Sequence, residues 1–397
     1  MMFALEGIRV VDFSRILAGP FCTMILADLG AEVIKIERPV KGDDSRAYGP
    51  FVQDESLYFI SVNRGKKSVT LNLKNAQAMA VLLKLIDSAD VLVENFKPGV
   101  MDHLGLSYET LSRRNPRLIY CSCSGYGHTG PHALKPAYDL IIQGLTGMMS
   151  ITGPDPDHPS KVGMSVADVD TGVFAALGVM SALYQREKTG QGQYVDISMF
   201  EVLMAILENA ATRCLYTGIA PQAIGNRHAT ICPFATIRAS DGFFNIAAGN
   251  DTLFVKLTQA LEAPEMATDE RFLTNDSRLQ HWPELEACLN RAASKKTIAE
   301  WCDILDKAGI PSGPLNDMNQ ALKHPQVEAR QIVTTIHHPV AGDVKCIASP
   351  LRLSASRREV YEPSPLLGAD SAHYIAEVLG CSEAEAQKLV DEKVFEK

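Results

Sequence analysis

The sequence predicts an α/β fold, with a mostly parallel sheet covered by helices and a smaller α+β domain after it. Three observations carry this reading. Short β-rich runs alternate with helix-length stretches through the first two hundred residues, and such crossovers are what parallel pairing requires. At 397 residues and 46% hydrophobic content, the chain is large enough to cover such a sheet with helices. After about residue 220 the alternation stops and a hairpin followed by helices takes its place.

Taken in order, residues 7–13 read as a strand, 20–29 as a helix of about three turns and 31–37 as the next strand, which makes one βαβ unit. Residues 68–73, a helix through Asp87, then 91–94 and 118–123 repeat the alternation. Val169, Val173, Phe174, Leu177, Met180 and Leu183 recur at three- and four-residue spacing. They predict a helix to about Glu187, stopped by Thr189-Gly190. Residues 194–198 read as a strand and 199–217 as one long helix. Gly225-Asn-Arg-His228 opens the second domain. There, two β-like runs in 234–248 flank Ser240-Asp-Gly242, a hairpin signal, and helices follow near 252–261, 282–293 and 297–308. From about Val344 the tail reads as a short strand and a final helix, 372–379.

Composition limits the function. At 397 residues and 46% hydrophobic content, the chain can bury a large core and divide into two or three domains. A formal charge of -9 with no Lys/Arg stripe argues against nucleic acid or an anionic membrane as partner, while a local basic pocket stays open to a small anion. No uncharged run approaches the roughly 20 residues of a membrane span. No charged segment followed by an apolar stretch opens the chain, so a cytoplasmic protein is expected. Nine cysteines without a CxxC pair suggest neither a disulfide framework nor a zinc site, and no metal is expected.

One carboxylate stands out. In Lys161-Val-Gly-Met-Ser-Val-Ala-Asp-Val-Asp-Thr-Gly172, Asp168 sits where an apolar turn hands over to the long helix. That places it at or near the N-cap, aimed at a site rather than at bulk water. An ordinary capping role accounts for it equally well, since Asp is a favoured N-cap residue. Gly125-Tyr-Gly-His-Thr-Gly130 formally matches the dinucleotide fingerprint, but Pro131 and Pro136 follow where a helix must begin. A glycine-rich active-site loop is the better reading. His103, His128 and His228 lie in loop-like sequence without a partner pattern.

The residues resemble one family closely. Leu5-Glu-Gly-Ile-Arg-Val-Val-Asp-Phe13, Ala18-Gly-Pro20, Leu29 to Arg38, Gly42-Asp43, Asn63-Arg-Gly-Lys-Lys67, Val93-Glu-Asn-Phe96 and Arg186 to Gly192 are similar, in order, to class III coenzyme A transferases such as formyl-CoA:oxalate and carnitine CoA-transferases. The resemblance spans roughly residues 4–390. It implies that Asp168 is the nucleophile, attacking an acyl-CoA to give a mixed anhydride and then an aspartyl-CoA thioester. Helix-terminal charge is expected to keep that carboxylate ionised at neutral pH. Coenzyme A contacts would come from Ala18, Arg38, Leu71, Lys74, Asn95, Phe96 and His103. Tyr138, Asp139, Gly125 and Gly127 would line the acyl site.

The resemblance also implies a Rossmann-like large domain built from residues 1–220 and a returning segment, 326–397, with 221–325 as the small domain. Two ring-like subunits would interlock as a homodimer. Partners would be acyl-CoA, with succinyl-CoA as donor, and small dicarboxylic acids as acceptors, with coenzyme A a substrate and no tightly bound cofactor. Arg46, Lys135 or Arg227 would hold a distal carboxylate, and Lys97 or Arg64 would share phosphate binding. Leu17 in place of a glutamine, His103 in place of an arginine and Ala247-Ala-Gly-Asn250 in place of four glycines argue against formyl-CoA:oxalate as the specific pair. A racemase of 2-methylacyl-CoAs, with His128 as a proton acceptor, and a non-catalytic CoA-binding homologue are the alternatives.

Overall fold

In the computed structural model, which describes residues 2–356 and 361–395, six parallel strands form one sheet. In chain order they are Arg9–Asp12, Glu32–Glu37, Lys66–Thr70, Val91–Glu94, Ile119–Ser124 and Tyr194–Ser198. Their spatial order is third, second, first, fourth, fifth, sixth. The first strand therefore pairs on one side with the second, Val10 opposite Val33, and on the other with the fourth, Val10 opposite Val91. The order reverses between the first and fourth strands, and doubly wound sheets place their ligand crevice beyond the carboxyl ends at such a point.

The sheet is buried on both faces, each under its own apolar core. On one face Val11, Ile34, Val69, Leu92 and Tyr120 pack under the helix Ala76–Asp87. On the other, Val10, Val33, Val91, Ile119 and Cys121 pack against the helices Ala18–Asp28 and Val166–Thr189. The latter helix is long and apolar enough, by length and composition, to cross a membrane. Half of its most apolar window is buried, as expected of a core helix. Its uncharged stretch runs only from Thr171 to Gln185, between Asp170 and Arg186.

The chain divides into two compact units: residues 1–149, 161–219 and 330–397 in one, 150–160 and 220–329 in the other. The smaller unit carries an antiparallel sheet of Ser312–Pro314, Phe243–Ala247 and Phe234–Arg238, with its own core around Phe244, Phe254, Phe272 and Trp301. In the larger unit, residues after 330 form a hairpin, Val333–His338 with Gly342–Ile347, and the helices Ser371–Leu379 and Glu383–Asp391. Asp370 and Ser371 accept the amides of Ser68 and Thr70 on the edge strand, so the chain's end satisfies the sheet's open side.

Two expectations change. The long helix expected over 199–217 is two helices, Met199–Ile206 and Glu208–Thr217, broken where Glu208 takes a φ of 38°. Neither Pro nor Gly marks that break. Residues 344 onward form a second hairpin strand rather than an isolated one, and a helix follows 372–379 that the sequence reading lacked.

Candidate active site

Asp168 lies in the first turn of the helix Val166–Thr189, whose N-cap is Ser165. Ser165 makes no side-chain capping bond. That service comes from 28 residues earlier: Asp139, at the start of the helix Asp139–Leu145, accepts the Ala167 amide on Oδ1 at 2.9 Å. Asp139 Oδ2 accepts from Gln143 Nε2 at 2.8 Å, and Gln143 Oε1 accepts the Val162 amide, fixing the chain that leads into the helix. Asp139 therefore takes the capping role that the sequence assigned to Asp168. Asp168 is left without it.

Burial, with the Asp139 carboxylate adding to it, pushes the Asp168 carboxyl up to about 7. This corrects the expectation of a fully ionised side chain at neutral pH. A first-turn position offers an anion roughly 0.3–1 kcal/mol. The rise from the usual range near 4 represents on the order of 4 kcal/mol before solvent screening reduces it. Desolvation wins. A second group that the sequence did not signal joins the site. Burial raises the Tyr58 phenol, and the negative charges of Asp168, Asp43 and Asp139 raise it further, as does Tyr48, whose ring packs edge-on at 5.6 Å. Tyr58 is thus a neutral phenol within the electrostatic reach of these carboxylates.

The loop after the first strand closes the site from the other side. Ile16 adopts a φ of 69°, a strained conformation for a β-branched residue. Side-chain anchors hold the segment: Lys35 Nζ donates to the Ser14 carbonyl at 2.7 Å, and Asp43 Oδ1 accepts the Ile16 amide at 3.1 Å. Asn95 binds both the amide and the carbonyl of Arg15, each at 2.8 Å. Such over-determination is what sustains strain at a functional position. The helix beginning at Ala18 then packs against the Asp168 helix at Gly172, where a Cβ would stand 2.7 Å from the Ala18 carbonyl oxygen. Gly172 lies one turn beyond Asp168 on the same face, so its lack of a side chain brings Ala18 beside the carboxylate.

Across the crevice, Arg15 and Arg38 share Asp44, Arg15 at 3.0 Å and Arg38 at 2.5 Å. The Arg15 guanidinium lies 5.0 Å from the Phe96 ring centroid. The structure thus brings Ala18, Arg38, Asn95 and Phe96 to one edge, with Arg15 added. Asn95 spends one acceptor and one donor of its side chain on the Arg15 backbone. Leu71 is buried in the core, Lys74 is exposed, and His103 is exposed with its Nδ1 on the Gly99 carbonyl. Tyr138 is exposed ahead of Asp139. Gly127 holds a φ of 80° in the loop and donates its amide to Ser124 Oγ at 2.9 Å, with Gly125 packed against Ala137. No helix begins in this loop before Asp139, as the two prolines require.

Two basic residues are used elsewhere. Arg46 pairs with buried Glu37 and stacks 3.7 Å from the Phe59 ring centroid, and Arg64 forms a buried pair with Asp28. Neither is free for a substrate carboxylate or phosphate. Lys135 is exposed, and Arg227 belongs to the smaller unit, over the Trp282 ring. Among the described residues no group of three His, Cys, Asp or Glu side chains has the arrangement to hold a metal ion.

Known proteins are similar to this chain over nearly its whole length. The profile described as CoA-transferase family III matches residues 5–371. Acetyl-CoA:oxalate CoA-transferase of Acetobacter aceti is 48% identical over 88% of this chain and 89% of its own length. Succinyl-CoA:glutarate CoA-transferase of Mus musculus is 38% identical over 100% of this chain and 91% of its own. Among solved structures, a CAIB/BAIF family protein from Brucella suis matches with a TM-score of 0.85 at 39% identity, covering 95% of this chain and 100% of that one.

Proposed function

Because this chain belongs to CoA-transferase family III, we propose that it moves coenzyme A from an acyl-CoA donor, succinyl-CoA foremost, to a small dicarboxylic acid, with Asp168 as the covalent nucleophile. The observation that carries the reading is Asp168 itself: a carboxyl freed from capping by Asp139 and shielded from water beside Tyr58. Burial that raises its proton affinity also makes its ionised form a stronger nucleophile.

The chemistry balances without an energy source. An Asp168 carboxylate oxygen attacks the thioester carbonyl; the C–S bond breaks, giving a mixed anhydride and CoA thiolate. The thiolate attacks the aspartyl carbonyl, the anhydride C–O bond breaks, and the donor acid leaves an aspartyl-CoA thioester. The acceptor carboxylate attacks that thioester and expels the thiolate. The thiolate then attacks the acceptor's acyl carbon, releasing the new acyl-CoA and the Asp168 carboxylate. Each addition develops an oxyanion, which the Tyr58 phenol and the amides of the loop 125–130 other than those of Gly127 and His128, spent on Ser124 and Asp196, serve to stabilise. Coenzyme A is a substrate throughout. Relatives named for oxalate and glutarate support a dicarboxylic acceptor.

A homodimer of interlocked rings accompanies this reading. Val173, Leu177 and Tyr184 on the long helix, and Leu215, Tyr216 and Ile219 near 217, expose apolar side chains that a partner would cover. Sedimentation on dilution tests it, and a folded monomer would contradict it.

Intact mass after incubation with succinyl-CoA tests the chemistry. A hydroxylamine-labile, CoA-sized adduct on the wild type and none on Asp168→Ala is expected. No adduct on either protein with any of several acyl-CoA donors overturns the mechanism.

A further inference from the structure

Glu94, Ser122 and Asp196 stand in one lateral row across three neighbouring strands, Glu94 in register with Ser122 and Ser122 with Asp196. In-register neighbours project on the same face. Glu94 and Ser122 are buried, and Glu94 Oε2 accepts the Phe96 amide at 2.7 Å. His128, from the glycine-rich loop, folds back onto this row. Its Nε2 lies 2.6 Å from Ser122 Oγ and 4.0 Å from Glu94 Oε1, and its amide donates to Asp196 Oδ2 at 3.1 Å. The Ser122 hydroxyl lies near enough to the Glu94 carboxyl and the Tyr194 phenol to lower the proton affinity of both.

A hydroxyl has one proton to give. With Glu94 ionised, Ser122 donates to the carboxylate and accepts from His128 Nε2–H. With Glu94 protonated, the carboxyl donates to Ser122, and Ser122 donates to a bare His128 Nε2. One proton reverses the direction of the chain and removes the charge that holds the Phe96 amide.

We propose that Glu94 is a positioning residue for acyl-CoA: its ionised carboxylate sets the Phe96 turn and, through Ser122 and His128, the loop 125–130 as one unit, and its protonation loosens both. This rests on the transferase reading, which gives Phe96 and that loop to the thioester. The groups facing Glu94 are the carboxylates of Asp196 and Asp102, the Tyr120 and Tyr194 phenols and the His128 imidazole. Burial, aided by Asp196 and Asp102 and opposed by the Ser122 and Phe96 bonds, pushes the carboxyl up to about 7, so the change falls in the neutral range.

Calorimetric titration of coenzyme A into the full-length Asp168→Asn protein, which removes the titration of Asp168 itself, tests this between about pH 5.5 and 8.5. The Kd is expected to tighten about five-fold as pH rises through 7, and adding Glu94→Gln is expected to flatten the profile. A flat profile in the parent, or an unchanged step with Glu94→Gln, overturns the proposal. Should Glu94→Gln fail to fold, Ser122→Ala carries the test: losing its bond to the carboxylate moves the step to higher pH, and an unmoved step counts against the role. A protein that binds no coenzyme A at any pH overturns the transferase reading instead.

Discussion

Beneath the carboxyl ends of the first three strands, Asp12, Glu37 and Asp43 are buried beside Lys66, Lys35 and Arg46. Burial alone would raise these carboxyls, yet all three lie below the usual range because the cations and the hydrogen bonds they accept together outweigh it. Across the crevice, Glu94 is buried to the same degree, Asp168 less so, and both are pushed up to about 7. Their neighbours are other carboxylates, a serine and a half-buried imidazole. Burial is shared by the two sides, so the presence of a cation decides the direction. Paired carboxylates build the frame that holds the strained Ile16 loop, and unpaired ones are available for chemistry.

The contrast breaks first, if it is wrong, at Asp168. Asp168→Asn is expected to lower transfer by about ten-thousand-fold while circular dichroism and coenzyme A binding persist. Activity within ten-fold of wild type would falsify the contrast. Next in size is the framework. Lys66→Met leaves fully buried Asp12 short of a cation and is expected to cost about 3–5 kcal/mol in urea unfolding. Lys67→Met, which breaks only the exposed pair with Glu362, is expected to cost under about 1 kcal/mol. Equal losses would show that burial of the pair does not matter.

A pH–rate profile sharpens the comparison further. In the proposed mechanism only the ionised Asp168 attacks, so the rate is expected to climb through about pH 7 and to fall about ten-fold per pH unit below it. A rate already level at about pH 5 would mean that a cation reaches this carboxylate during turnover. The smallest effect concerns stability. In the unfolded chain Asp168 ionises near pH 4, but in the folded protein only near 7. The folded state therefore holds more protons between those values, and stability falls as pH rises through them. Asp168→Asn removes that loss. Its Tm is expected to exceed the wild type's by about 2–5 °C at pH 8 and to match it near pH 4, read by calorimetry.

The parallel sheet was legible because local pattern and global fold agree there. The apolar runs of its strands and the amphipathic stretch that became Ala76–Asp87 each report burial directly. Asp168 was legible as a position through its helix. Its state was not, because the residue that caps the helix in its place, Asp139, comes from another segment. Tyr58 and Arg15 carried no local signal. Their significance lies in what faces them, Asp168 for one and Phe96 for the other.

The sequence by itself determined the order and type of the main elements, the glycine-rich loop that begins no helix, and the place of Asp168 at the start of its helix. These follow from periodicity, backbone restriction and motif, all properties of short stretches of chain. Tertiary structure alone decided which carboxylates meet a cation and which remain unpaired. That depends on strands distant in sequence lying side by side. Lys66 reaches Asp12 across 54 residues, whereas Glu94 finds Ser122 on the next strand. Electrostatic energy depends on distance in space and on exclusion of water, and neither quantity is written along the chain.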